Sequence, residues 1–65
     1  MKYNELFRLL KKQGWFEVRQ KGSHVIFQHN DKTEQLTVPY HAGKEVKKGL
    51  LVAILKQADI KTAKR

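Results

Sequence analysis

Between Asn4 and Gln13 the chain reads NELFRLLKKQ. Its apolar positions Leu6, Phe7, Leu9 and Leu10 recur at helical spacing and form one broad stripe. Asn4 suits the cap, Glu5 the first turn, Lys11 and Lys12 the last turn, and Gly14 the position just past the end. The period then changes to two. WFEVRQ (15–20), VIFQH (25–29) and EQLTVP (34–39) read as strands. Lys21-Gly22 reads as a tight turn, and His29 to Thr33 as a polar loop. Pro39 to Lys48, PYHAGKEVKK, is a basic connection. Gly49 opens a last helix, LLVAILKQA, in which Leu51, Ile54, Leu55 and Ala58 share one buried face. The tail KTAKR (61–65) is expected to fray. The order helix, strand, strand, strand, helix predicts an α+β arrangement: a three-stranded antiparallel sheet with two helices on one face. No repeat, low-complexity segment or linker interrupts it, so residues 1–65 are expected to form one domain.

A register for the first hairpin follows if Lys21-Gly22 is a two-residue loop. Arg19 then pairs with His24, Val18 with Val25 and Phe16 with Phe27. The four apolar residues fall on the core face, and Arg19 and His24 on the other. Lys21 is the weak point, because a type I′ turn wants φ > 0 there.

Charge changes the picture more than size does. Fourteen Lys and Arg stand against six Asp and Glu, a formal net charge of +8 on 65 residues. So large a field on so small a body attracts polyanions. The chain has no cysteine, which excludes a disulfide framework, a zinc ribbon and thiol catalysis. No apolar run approaches a membrane span, and the start MKYNELFRLL has no signal-peptide pattern. No segment has the interfacial-helix pattern either. A cytoplasmic protein without membrane contact is expected.

The stretch KGSHVIFQH (21–29) carries the candidate chemistry. His24 stands beside a glycine turn, on the face that also carries Arg19. An imidazole can exchange protons near neutral pH, and a guanidinium can hold a phosphate or its developing charge. A lone histidine on a strand is also an ordinary surface residue, so the pairing alone decides little. His24 and His29 differ by five, which points them to opposite faces of a straight strand. They cannot share a metal from that strand, and no metal site or cofactor is expected. His29 reads as a strand-end surface residue. His41 reads either as an RNA contact or as a plain loop residue. Lys44, Lys47 and Lys48 cluster before the last helix, whose N-terminus favours anions. Trp15 and Tyr40 suit either base stacking or the edge of the core.

Taken in order, ELFRLLKKQGW (5–15), VRQKGSHVIFQH (18–29), LTVPYHAGKEVKKGLL (36–51) and ILKQADI (54–60) resemble the HicA family of toxin ribonucleases, partners in HicA–HicB toxin–antitoxin systems. The resemblance spans nearly the whole chain. It implies a fold similar to double-stranded RNA-binding domains, whose element order the chain shares. It implies cleavage of mRNA that arrests translation and growth, with His24 as the catalytic histidine and Gly22 and Ser23 as its flanking motif. It also implies a HicB-like antitoxin that masks the active face. Two positions depart from the family pattern. Asp59 stands where glycine is frequent, and aspartate tolerates a left-handed cap moderately well. Leu50 stands where a small hydroxyl residue is common, which weakens the chemistry of the helix start.

The leading expectation is an endoribonuclease that needs no metal. His24 acts on the ribose 2′-OH, Arg19 stabilises the transition state, and Lys21, His41 or solvent serves as the second proton carrier. Gly22 and Ser23 support His24, and Lys44, Lys47 and Lys48 hold RNA phosphates. The alternative is a non-catalytic RNA-binding module of the same fold, in which His24 is only a surface contact.

Overall fold

The computed structural model describes residues 1–60, so the expected fraying at 61–65 lies outside the described residues. Helix α1 spans Tyr3–Lys12 and helix α2 Lys48–Gln57; strands β1 (Trp15–Lys21), β2 (His24–His29) and β3 (Leu36–Pro39) lie between them. The strands form one antiparallel sheet in the order β1-β2-β3. Helix α1 buries Tyr3, Leu6, Phe7 and Leu10; α2 buries Ile54 and Leu55. Both faces join Trp15, Val25, Phe27, Leu36 and Val38 in one cluster, so the two helices share one face of the sheet. The fold class read from the periodicity is the observed one.

The hairpin register differs from the expected one. Lys21 pairs with His24, Gln20 with Val25 and Arg19 with Ile26; beyond a bulge, Glu17 pairs with Phe27, Phe16 with Gln28 and Trp15 with His29. The loop is Gly22-Ser23, and Lys21 belongs to the strand. Gly22 takes φ 61 while Ser23 does not have positive φ, as a type II′ turn with glycine first requires. This removes the strain that a Lys21-Gly22 turn would place on lysine. Phe16 and Val18 are therefore not core residues; each is 41% exposed.

The bulge reconciles alternation with burial. Val18 has no partner in the ladder, and the extra residue shifts the pleat by one. Before it, Glu17 faces the helices. After it, Gln20 does so, and Arg19 and Lys21 are turned to the outer face. An unbroken strand would have sent Arg19 inward.

Gly14 follows the C-cap of α1 at φ 99 and leads directly into β1. A methyl group there would meet Nε2 of His29 at 2.6 Å, so the glycine is required twice, by conformation and by space. His29 is a clamp rather than a free strand-end residue. Its Nδ1 accepts from the backbone N–H of Asp31 at 3.0 Å, which leaves the proton on Nε2 to donate to the Gln13 carbonyl at 3.0 Å. Its ring lies edge-on to Trp15, with centroids 5.2 Å apart. Helix α2 ends in a Schellman motif: Ile60 N–H donates to Leu55 O at 2.9 Å and Asp59 N–H to Lys56 O at 3.1 Å. Asp59 takes the left-handed position at φ 59, and its carboxylate meets Lys32 Nζ at 3.1 Å.

Candidate functional site

The topology gathers the candidate residues at one end. Strand β3 runs toward the tip of the β1–β2 hairpin, because Pro39 pairs with His24. Tyr40 N–H then donates to Ser23 O at 2.7 Å, which fixes the chain to the turn as it leaves the sheet. Helix α1 reaches β1 through Gln13 and Gly14 at the opposite end, so its own start lies beside the hairpin tip. The Tyr40 hydroxyl confirms this by donating to Asn4 Oδ1 at 2.7 Å. Asn4 sits inside the first turn, and the N-cap is Lys2, whose N–H donates to Glu5 Oε1 at 2.8 Å.

The basic loop is tied to the same place. Lys2 and Glu45 form an isolated bridge, and Val46 N–H donates to Met1 O at 2.8 Å. The Met1 amino group meets the Glu45 carboxylate at 2.9 Å. Val46 is buried, an apolar anchor inside an otherwise largely exposed basic loop. Helix α2 starts here and runs back to the far end, where Asp59 reaches Lys32. Lys21, Gly22, Ser23, His24, His41, Lys44, Lys47 and Lys48 thus share one end with the N-termini of both helices, and all eight are exposed. Helix dipoles and lysines add there with the same sign, offset in part by Glu5 and Glu45, whereas Asp31, Glu34 and Asp59 lie toward the other end.

His24 lies on the sheet face away from the helices, since its neighbour Val25 is buried among them. Lys21 is directly opposite it on β1 and Pro39 on β3. Arg19 is its diagonal neighbour rather than its direct partner. Such a separation, about 7–8 Å between backbones, lies within reach of a guanidinium. No other side chain hydrogen-bonds to the His24 ring among the described residues. The turn before it is held from the side: Gln20 Nε2 donates to Gly22 O at 2.9 Å. Phe16, Val18 and the half-buried Ile26 give this outer face an apolar strip beside the basic one.

His41 rests edge-on against Tyr3, centroids 5.4 Å apart. With Pro39, Lys44, Lys47 and Leu50 it borders an open cleft of about 420 Å³. Leu50 is half-buried in that wall, and the N-cap of α2, Lys47, makes no side-chain capping bond. Trp15 offers no free face to a base, and Tyr40 offers only part of its ring. Trp15 is 4% exposed in the core. Tyr40 is half-buried against Phe7, centroids 5.1 Å apart. The sequence reading missed Arg8, Asn4 and Gln20, which line a second cleft between α1 and β1.

This arrangement defines a small α+β domain with one strongly basic end, at which a histidine and a guanidinium share an open sheet face. A family described as the HicA toxin of bacterial toxin–antitoxin systems matches residues 3–60. The chain belongs to the HicA toxin family. No curated protein matches it. Among the described residues no helix is long and apolar enough to cross a membrane.

Proposed function

We propose that this toxin is an endoribonuclease that cleaves mRNA, with His24 as its catalytic histidine. The observation that carries the reading is the convergence of His24, Lys21 and the loop lysines at one end, with Arg19 on the His24 face. Phosphates are held there by lysines and helix N-termini, with affinity that falls steeply with salt. His24 takes the proton of a ribose 2′-OH as that oxygen attacks the adjacent phosphorus. The phosphorus–O5′ bond breaks, and the leaving oxygen takes a proton from a second carrier drawn from Lys21, His41 or water. Arg19 stabilises the charge that develops on the phosphoryl oxygens. The products are a 2′,3′-cyclic phosphate and a 5′-hydroxyl. RNA supplies its own nucleophile, so the attack needs no metal-activated water. Gly22 sets the turn and Ser23, through its carbonyl bond to Tyr40, holds the start of β2 in place.

The partner that silences the toxin is a HicB-like antitoxin seated on the active face. The strip of Phe16, Val18 and Ile26 beside a basic patch supports this, because an acidic protein with an apolar centre would cover both. A binding-only RNA module is the second reading. The observation favouring it is that no carboxylate orients the His24 ring among the described residues.

A defined single-stranded transcript incubated with wild type and with His24→Ala, each in excess EDTA, tests the proposal. Cleavage by wild type alone, with 5′-hydroxyl ends, is expected. Equal cleavage by both proteins removes His24 from the mechanism. Salt-sensitive binding by both without cleavage supports the binding module.

A further inference from the structure

The cleft between α1 and the β1–β2 hairpin has a volume of about 550 Å³. Small-ligand sites run from roughly 300 to 1,000 Å³. It lies on the helix side of the hairpin, whereas His24 lies on the outer side. Its floor is Phe7, Val25 and Tyr40, an apolar and aromatic wall in which the Phe7 and Tyr40 rings are tilted by 49°. Its rim carries three polar groups whose remaining capacity follows from bonds already made. Asn4 Oδ1 accepts from the Tyr40 hydroxyl, so its NH₂ group is left to donate. Gln20 Nε2 donates to the Gly22 carbonyl, so its Oε1 is left to accept. Arg8 is exposed on the neighbouring turn of α1, and its guanidinium has no carboxylate partner among the described residues. Lys11, by contrast, is occupied by Glu17 at 3.2 Å.

A donor and an acceptor beside an apolar floor, with one open guanidinium next to them, match an unpaired nucleotide. The floor takes the face of the base, the amides meet its polar edge, and the guanidinium takes the phosphate. We infer that this cleft is a nucleotide subsite, which takes an unpaired ribonucleotide flanking the linkage presented to His24. The inference rests on the ribonuclease reading for its substrate. The bond from Gln20 to Gly22 joins the cleft wall to the turn that carries His24, so an RNA strand folded over the hairpin tip engages both. Asn4 and Gln20 are then the residues that set preference among bases, and Arg8 the one that sets affinity.

Titration of ¹⁵N-labelled His24→Ala protein with each of the four ribonucleoside 5′-monophosphates, followed by NMR, tests this without any cleavage. The side-chain amide signals of Asn4 and Gln20 and the backbone signals of Phe7 and Arg8 are expected to shift, with unequal affinity among the bases. Arg8→Gln should weaken every nucleotide by about tenfold or more, the loss of one charge-assisted hydrogen bond. Tyr40→Phe, which releases Asn4, should change the ranking of bases more than the mean affinity. Shifts confined to the outer face at Lys21, Ile26 and Thr37, with Asn4 and Gln20 silent, would overturn the inference. So would a cleft that stays silent to nucleotides and responds only to an acidic protein partner. Failure of the ribonuclease reading shows separately, as equal cleavage by wild type and His24→Ala, and leaves the nucleotide titration to be judged on its own.

Discussion

Replacing Gly14 with alanine imposes two separable costs. The first is conformational: at φ 99 a residue with a Cβ is strained, and such backbone strain costs about 1–3 kcal/mol. The second is spatial. The new methyl meets His29 Nε2 at 2.6 Å, so the ring must move and its bond to the Gln13 carbonyl is lost. A hydrogen bond of that kind contributes about 0.5–1.5 kcal/mol. The sum is about 2–4 kcal/mol, a large part of the stability of a domain this small. At about 4–8 °C per kcal/mol for a domain of this size, Tm should fall by roughly 8–32 °C. Urea unfolding followed by the fluorescence of Trp15, which packs on His29, gives the free energies. The informative measurement is the double-mutant cycle. In a His29→Ala background the methyl has room, so Gly14→Ala should cost only its conformational share. The coupling energy should be about 1 kcal/mol. If Gly14→Ala costs the same in both backgrounds, the ring is not the obstacle and the clamp at the end of α1 has been misjudged.

Other outcomes follow from the same geometry. His24→Ala removes an exposed side chain with no hydrogen bond among the described residues, so unfolding should shift by less than about 0.5 kcal/mol. Cleavage should nevertheless fall by about 10²–10⁴, the range for a lost general acid or base, with intact circular dichroism excluding a folding defect. Asp59→Gly removes the left-handed strain but also the contact with Lys32, a surface pair worth about 0–1 kcal/mol. Asp59→Ala keeps the strain and loses the pair, so calorimetry should find it about 1 kcal/mol less stable than Asp59→Gly. Lys47→Gln should lower the slope of log affinity against log salt by about 0.7 on single-stranded RNA, and an unchanged slope would mean Lys47 touches no phosphate. Phe16→Glu, on the exposed outer strip, should leave stability nearly unchanged while abolishing rescue of growth by the HicB-like antitoxin proposed above; full rescue would move the interface elsewhere.

The element types were legible because the apolar spacing changes from helical to strand-like and back along the chain. Leu6, Phe7 and Leu10 on α1, and Val25 and Phe27 on β2, could be assigned from spacing alone, and their faces are those observed. The hairpin register was not legible, because the alternation in WFEVRQ is broken by the bulge at Val18. Phe16 and Val18 look like core residues to any rule that counts apolar positions. They lie outside the core because Phe16 falls on the outer face, away from the helices, and Val18 sits in the bulge. His29 does end β2, but its clamping role was not legible: its two partners, Gln13 and Asp31, come from different loops, and only the folded chain brings them to the two sides of one ring. The placement of the candidate residues at one end has a simpler origin than the register. His24, Lys21 and the lysines before α2 are neighbours through strand direction, and strand direction follows from element order.

The bulge connects the limits of the core to the shape of the site. A strand without it, keeping Glu17 inward, would turn Arg19 toward the helices and Gln20 out beside His24. That exchange would place an ionised guanidinium under α1, near Lys11, where both charges are positive. It would also remove the guanidinium from the His24 face and the amide that steadies Gly22. The extra residue avoids all three consequences at once. Its cost is an exposed valine and a poorly filled space between α1 and β1, since Glu17 and Gln20 are too polar to pack as core. That unfilled space is the cleft lined by Asn4, Arg8 and Gln20. The core reaches the basic end through Tyr3 and Val46, but Glu17 and Gln20 leave the helix side of the hairpin open there, as its outer side is. One face carries the histidine, and the other carries a cavity of nucleotide size.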